Sequence, residues 1–308
     1  MLKVKNLCKK YGKLEAVNNL SFHIEEGSIF GFVGPNGAGK TSTMKIIATL
    51  LRPTSGQVLV AGEDVSLNPR RVRQLVGYMP DFFGVYDDLK VDEYLDFYAA
   101  SYGIPLEQRK RISADLLELM DLSHKRDAYV DSLSRGMKQR LCLARSLVHD
   151  PALLILDEPA SGLDPRARVE MREILRELRT MGKTIMISSH ILPELTELCT
   201  HIGIIEAGQM AACGTVEEIM RFSQLGSSLK ITVLDQVEET LRLLQEQPFI
   251  NKVDVMEKTV ELPFNGDEEE MSRILALLVG QGIPVVSFAP SHNNLEDIFM
   301  QVTKGVAQ

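Results

Sequence analysis

The run Gly34-Pro35-Asn36-Gly37-Ala38-Gly39-Lys40-Thr41-Ser42 fits the pattern G-x-x-x-x-G-K-[ST] without a gap. Glycines at those positions let a backbone curl until several N–H groups point at one anion. Lys40 is placed to reach the β- and γ-phosphates of a nucleotide, and the Thr41 hydroxyl to hold Mg²⁺. The chemistry indicated is capture of a nucleoside triphosphate. A second pair, Asp157-Glu158, follows the aliphatic run Leu153-Leu154-Ile155-Leu156. At the carboxyl end of a parallel strand, an aspartate can hold Mg²⁺ through a water, and its neighbour can orient or deprotonate an attacking water. A third segment is Leu133-Ser134-Arg135-Gly136-Met137. Ser134 there either caps a helix or, with a glycine and free N–H groups, forms a second anion cradle. Asp164 reads equally as the cap of a helix starting at Pro165, and His190 alone reads as a surface histidine.

These residues need elements to hold them. Residues 28–33 read as a short buried strand and 41–51 as a helix, the strand–loop–helix order that phosphate binding requires. The helix presents its positive end to the same phosphates. Residues 2–7 and 18–24 look like edge strands joined through 8–13, and a turn at 53–56 leads to a strand at 58–61. From 82 to 150 helical patterns dominate, over 91–102, 105–120 and 135–149, as a helical insert in an α/β core. The core resumes with the strand 153–156 and a helix over 165–181, where Met171, Ile174, Leu175 and Leu178 share one face and Gly182 closes it. A strand at 184–187, a short helix and two more strands end this domain near 221. A linker at 222–228 precedes an accessory domain over 229–308. Its order is strand 229–234, helix 236–246, strands 251–256 and 258–263, helix 267–281, strand 283–288, which predicts a ferredoxin-like sandwich with a last helix at 294–303. The acidic start Asp267-Glu268-Glu269-Glu270 suits a helix N-terminus better than a metal site.

Composition narrows the function. The 308 residues are 44% hydrophobic and 25% charged, as in soluble globular proteins. No apolar run approaches the ~20 residues that cross a bilayer, and the N-terminus lacks a secretory core, so the chain is expected in the cytosol. A net charge of −8 argues against nucleic acid as a ligand. Cys8, Cys142, Cys199 and Cys213 have neither metal-ligand nor redox spacing, so reduced and mostly buried thiols are expected.

Taken together, these segments over about residues 2–221 resemble the ATP-binding subunits of ABC transporters. The resemblance implies a P-loop NTPase (ABC ATPase) core with a helical insert, plus a small α+β ferredoxin-like C-terminal domain. Residues 34–41 correspond to the Walker A loop, and 153–158 to Walker B with Glu158 as the catalytic glutamate. Residues 133–137 resemble the signature, usually L-S-G-G-Q. Ser161-Gly162-Leu163-Asp164 resembles the D-loop, His190 the switch histidine, and Tyr11 the aromatic that stacks on adenine. The implied cofactors are ATP and Mg²⁺, the metal bound through Thr41, Asp157 and Asp81. Two subunits would sandwich two ATP molecules, with Ser134, Arg135, Gly136, Met137 and Asp164 at the dimer contact. Glu158 would polarise the water, and His190 would contact it and the γ-phosphate. The implied partners are an integral membrane permease and a second ATP-binding subunit, identical or paralogous. The implied location is the inner face of the cell membrane, held there by the permease.

Three residues depart from the pattern and two segments extend it. Asp81 stands where most members carry glutamine, adding negative charge beside the triphosphate. Arg135 and Met137 replace glycine and glutamine in the signature, while Ser134 and Gly136 remain. The C-terminal unit, with Asn294-Leu295-Glu296-Asp297-Ile298-Phe299, resembles the extension of the drug-resistance and efflux-type branch, which implies export and a role in dimer contact or regulation. Phe82-Phe83-Gly84-Val85-Tyr86 falls where the family receives the permease's coupling helix, and either docks there or packs within the insert. The rival readings are a soluble ABC-type switch in DNA repair or translation, and a non-hydrolysing regulatory subunit. The former relatives carry coiled coils, zinc modules or two cassettes, none visible here.

Overall fold

Every residue of the strands Ile29–Val33, Leu153–Asp157 and Thr184–Ser188 is buried. Runs apolar on both faces belong inside a parallel sheet covered by helices. The computed structural model, which describes residues 1–81, 88–189, 192–224, 228–245, 254–264 and 266–291, places them there. Their six-stranded sheet runs in the order Gln209–Thr215, His201–Glu206, Ile29–Val33, Thr184–Ser188, Leu153–Asp157, Val76–Met79. All neighbours are parallel except the first pair. The strand before the phosphate loop is therefore separated from the strand before Asp157-Glu158 by Thr184–Ser188.

A four-stranded antiparallel sheet completes this unit, in the order Leu14–Ile24, Leu2–Tyr11, Ser55–Val60, Glu63–Asp64. The strand expected at an edge near the N-terminus is thus internal. One-sided burial gives the same alternation in both settings, so the pattern could not separate them. Residues 8–11, read as a connection, continue that strand, and only Gly12 (φ +59°) and Lys13 turn. Leu2, Val4 and Leu7 join one core with Phe22, Phe30 and Phe32 and with Met44, Ile46 and Ile47 of the helix Lys40–Ile47. Phe22 stacks on Phe30 and Phe32 with ring centroids 5.4 and 5.6 Å apart. Each such buried side chain contributes roughly 1.5–3 kcal/mol, so the phosphate loop is anchored from behind by its own helix.

The helix Pro165–Thr180 buries Met171, Ile174, Leu175 and Leu178, the face its spacing predicts. The helix expected to reach residue 51 ends at Ile47, and Thr49 turns left-handed at φ +62°. The helix Pro69–Leu75 and strand Val76–Met79 carried no legible period in sequence. Gly77 shows why: a Cβ there would meet the Ser146 carbonyl at 2.2 Å, so close packing rather than alternation sets that residue. The insert contains helices Val91–Ser101, Leu106–Leu119 and Arg135–Leu147.

The chain divides into compact units between Val216 and Glu217. Residues 222–224, read as linker, close the helix Val216–Gln224, and Ser228 already begins a strand. The second unit runs Ser228–Val233, helix Val237–Gln245, Asp254–Met256, Thr259–Pro263, helix Glu268–Gly280, Val285–Ser291. Its antiparallel sheet places the first and third of these strands in the middle, which is the ferredoxin-like order. Leu244, Ile274 and Leu278 of the helices close on Leu229, Ile231, Val260 and Leu262 of the sheet. Asp267 caps its helix, accepting from the Glu270 N–H at 2.9 Å. The expected helix at 294–303 and the segment 82–86 lie outside the described residues. Among the described residues no helix is long and apolar enough to cross a membrane. Cys142 and Cys199 are buried, whereas Cys213 is exposed.

Candidate active site

Strand ends and a hairpin tip enclose a cleft of about 320 Å³. It is lined by Tyr11, Leu14, Ala16, residues 35–42, Asp81, Asp157 and Glu158. Two glycines fix the course of the loop. At Gly34 a Cβ would fall 2.3 Å from the Ile205 carbonyl, and at Gly39 (φ +104°) 2.4 Å from that of Ala16. The helix Lys40–Ile47 begins without a side-chain cap, so its first N–H groups remain for an anion. Thr43 pins the first turn instead, its Oγ1 donating to Gly39 O at 2.9 Å.

Lys40 is only 8% exposed, and its Nζ donates to the carbonyls of Gly34 and Pro35. Burial pulls its pKa below the usual lysine value, while Glu158 and Asp157 oppose that shift. An ammonium that has already shed part of its hydration is well placed to receive phosphate oxygens. Thr41 is exposed beside it.

Asp157 is 2% exposed and accepts a hydrogen bond from Ser188 Oγ at 2.7 Å. The same Oγ accepts from the Glu158 N–H at 2.9 Å. Glu158 is left-handed, with φ +51°. Asp81 enters from the end of Val76–Met79, the strand next to Leu153–Asp157. Tyr11, 46% exposed, sits at the hairpin tip with its OH 3.4 Å from Ser42 Oγ and the Lys9 ammonium 5.1 Å from its ring.

The signature segment lies elsewhere. Ser134 Oγ accepts from the Met137 N–H at 3.3 Å and starts the helix Arg135–Leu147. Asp164 likewise caps its helix, accepting from the Ala167 N–H at 2.9 Å. Ser134, Arg135, Gly136, Met137 and Asp164 line a second cleft of about 230 Å³ that shares no residue with the first. His190 lies outside the described residues. Ser188, Leu14 and Ala16 were not read as site residues. For Ser188 a signal existed: it is the polar end of a strand that is otherwise Thr-Ile-Met-Ile and wholly buried.

Comparison with known proteins decides the family. The Nod factor export ATP-binding protein I of Burkholderia orbicola (strain AU 1054) is 36% identical over 97% of this chain and 95% of its own length. The chain belongs to the ABC transporter ATP-binding proteins. Residues 17–161 match the family described as ABC transporter, and 214–303 match the C-terminal domain described as ATP-binding protein DrrA1-3-like. The linearmycin resistance ATP-binding protein LnrL of Bacillus subtilis (strain 168) is 32% identical over 98% of both chains. A solved ATP-binding subunit of an ABC transporter is 30% identical, with a TM-score of 0.66 over 72% of this chain and 92% of its own. A cassette in a dimeric post-hydrolysis state with ADP and Pi, 24% identical, shares the fold at a TM-score of 0.64 over 70% of this chain and 99% of its own. This ABC protein is an ATPase, and ATP is its nucleotide.

Proposed function

We propose that this ABC ATPase closes as a pair around two ATP molecules and drives a separate integral membrane permease in export. One observation carries the pairing. The phosphate loop and the signature helix line clefts with no residue in common, so one chain presents two half-sites. A second copy, or a paralogue, would set its Ser134 and Gly136 against the γ-phosphate held by Lys40. The exposed Ser134 and half-exposed Gly136 at the start of that helix suit that contact.

Within each half-site the loop N–H groups and Lys40 bind the phosphates, and Tyr11 offers a flat face to adenine. Glu158 orients and polarises the attacking water, assisted by His190. The oxygen donors Thr41, Asp157 and Asp81 line one cleft, and among the described residues no group of three His, Cys, Asp or Glu forms a cage. That donor set fits Mg²⁺, which is held by one or two carboxylates together with phosphates. When bound, the ion would neutralise phosphate charge. ATP binds the closed pair more tightly than the open one, and that difference is what moves the permease.

Export is supported by the relatives, whose names speak of Nod factor export and of linearmycin resistance. The chain would work on the cytoplasmic face, held by the permease, with the unit after residue 216 in dimer contact or regulation and no role for nucleic acid. The test is light scattering of Glu158→Gln in ATP and in ADP. A pair that forms in ATP alone, with hydrolysis slowed at least about 100-fold, is expected. A monomer at saturating ATP that hydrolyses at the unmutated rate would overturn the proposal.

A further inference from the structure

We propose that Ser188 is a positioning residue of the hydrolytic site, its hydroxyl holding the Asp157 carboxylate and the Glu158 backbone as one unit. The inference rests on Asp157 and Glu158 being the hydrolytic pair. A serine hydroxyl has one proton to give and two lone pairs to receive with. Here the proton goes to Asp157 Oδ1 at 2.7 Å, and one lone pair takes the Glu158 N–H at 2.9 Å.

The setting makes this more than a chance contact. Ser188 is 0% exposed and ends a strand whose three preceding residues, Ile185, Met186 and Ile187, are buried and aliphatic. A hydroxyl there is costly unless satisfied, and both its bonds go to the last residue of the neighbouring strand and the residue after it. The only other polar residue of the strand, Thr184, works at the opposite end, accepting from the Gly27 N–H at 3.0 Å. The register sets Ser188 beside Asp157 on one side and Phe32 on the other, two residues before the phosphate loop. It therefore stands between the two halves of the site.

Two consequences follow for Asp157 and Glu158. With Oδ1 taken by a charge-assisted bond, Asp157 turns in a fixed sense and leaves its other oxygen for what occupies the cleft. Glu158 carries a Cβ at φ +51°, a conformation held only where the surroundings impose it. The bond from its N–H to Ser188 is part of that imposition. Without the hydroxyl, the carboxylate can rotate and the Glu158 N–H loses its acceptor.

The test uses the full chain with Ser188→Ala and Ser188→Cys. Cysteine keeps the volume but donates weakly, so it separates hydroxyl from packing. Three quantities are read: kcat with KM, ATP affinity in EDTA, and Mn²⁺ affinity of the ATP complex by electron paramagnetic resonance titration. Both variants should lose about 10–100-fold in kcat and at least about 10-fold in Mn²⁺ affinity, as when the partners of metal ligands are removed. KM and the EDTA affinity should stay within about twofold. If both variants keep kcat and Mn²⁺ affinity within about twofold, or if cysteine restores what alanine loses, the proposal is overturned. An unmutated chain that binds ATP without hydrolysing it, alone or with its permease, would instead sink the hydrolytic reading of Asp157 and Glu158.

Discussion

The guanidinium of Arg135 occupies the space that any side chain on Gly162 would need: a Cβ there would fall 2.3 Å from its Cζ. Arg135 also donates to Ser161 O at 3.0 Å, and Gln139 Nε2 reaches the same carbonyl at 3.0 Å. The residue that replaces a family glycine thus fastens the signature helix to the segment Ser161–Asp164 within one chain. Gly162→Ala, at φ +66°, should cost about 1–2 kcal/mol of stability from backbone strain, with a smaller second part, about 0.5–1 kcal/mol, as the flexible end of Arg135 is pushed off the Ser161 carbonyl. Adding Arg135→Ala should recover the second part. Urea unfolding of the two single variants and the double variant checks this, since strictly additive losses would mean that the two residues do not interact.

Lys40→Ala should weaken ATP binding about 10–100-fold, the loss of one or two hydrogen bonds to a charged group. Its melting temperature should change little, because burial of the ammonium already opposes the bonds to Gly34 and Pro35. Calorimetric titration with ATP and a thermal scan read the two effects separately.

Asp81→Gln removes one of three carboxylates that line the cleft with a single lysine. Without Mg²⁺, ATP affinity should rise by about fivefold, corresponding to about 1 kcal/mol of relieved repulsion at short range across water. With Mg²⁺ the gain should shrink, because a potential metal ligand goes with the repulsion. Equal gains in both conditions would show that Asp81 acts on charge alone.

His149 supplies a pH dependence. Its ring stacks on Tyr102 at 3.8 Å, its Nε2 lies 3.1 Å from Val76 O, and burial lowers its pKa below the ordinary 6.5. The unfolded chain then binds the proton first as pH falls. Stability is full above about 6.5 and declines from there down through the folded pKa. His149→Phe keeps the stack and should flatten that slope, at a cost of about 1 kcal/mol for the lost hydrogen bond. Urea midpoints between pH 7.5 and 5.5 measure it, and an unchanged slope would rule out His149 as the source.

The parts of this molecule that the sequence made legible are those where chemistry and period coincide. Gly34 through Ser42, Asp157 with Glu158, and the apolar face of Pro165–Thr180 each leave a local mark. What stayed hidden depends on neighbours that are distant in sequence. The internal position of Leu2–Tyr11 is a matter of pairing, not of pattern. The strand Val76–Met79, which brings Asp81 to the cleft, is four residues long with a glycine required by the Ser146 backbone. Ser188 was passed over in sequence, since its place beside Asp157 comes from strand order. Ser134 and Asp164 were open to two readings in sequence, and the structure shows the helix caps.

With its ammonium bonded to the carbonyls of Gly34 and Pro35, Lys40 ties the start of its own helix back to the start of the phosphate loop. An anion that reaches this cation must therefore displace two peptide oxygens, so its electrostatic gain is offset by the bonds it takes from the loop's own carbonyls.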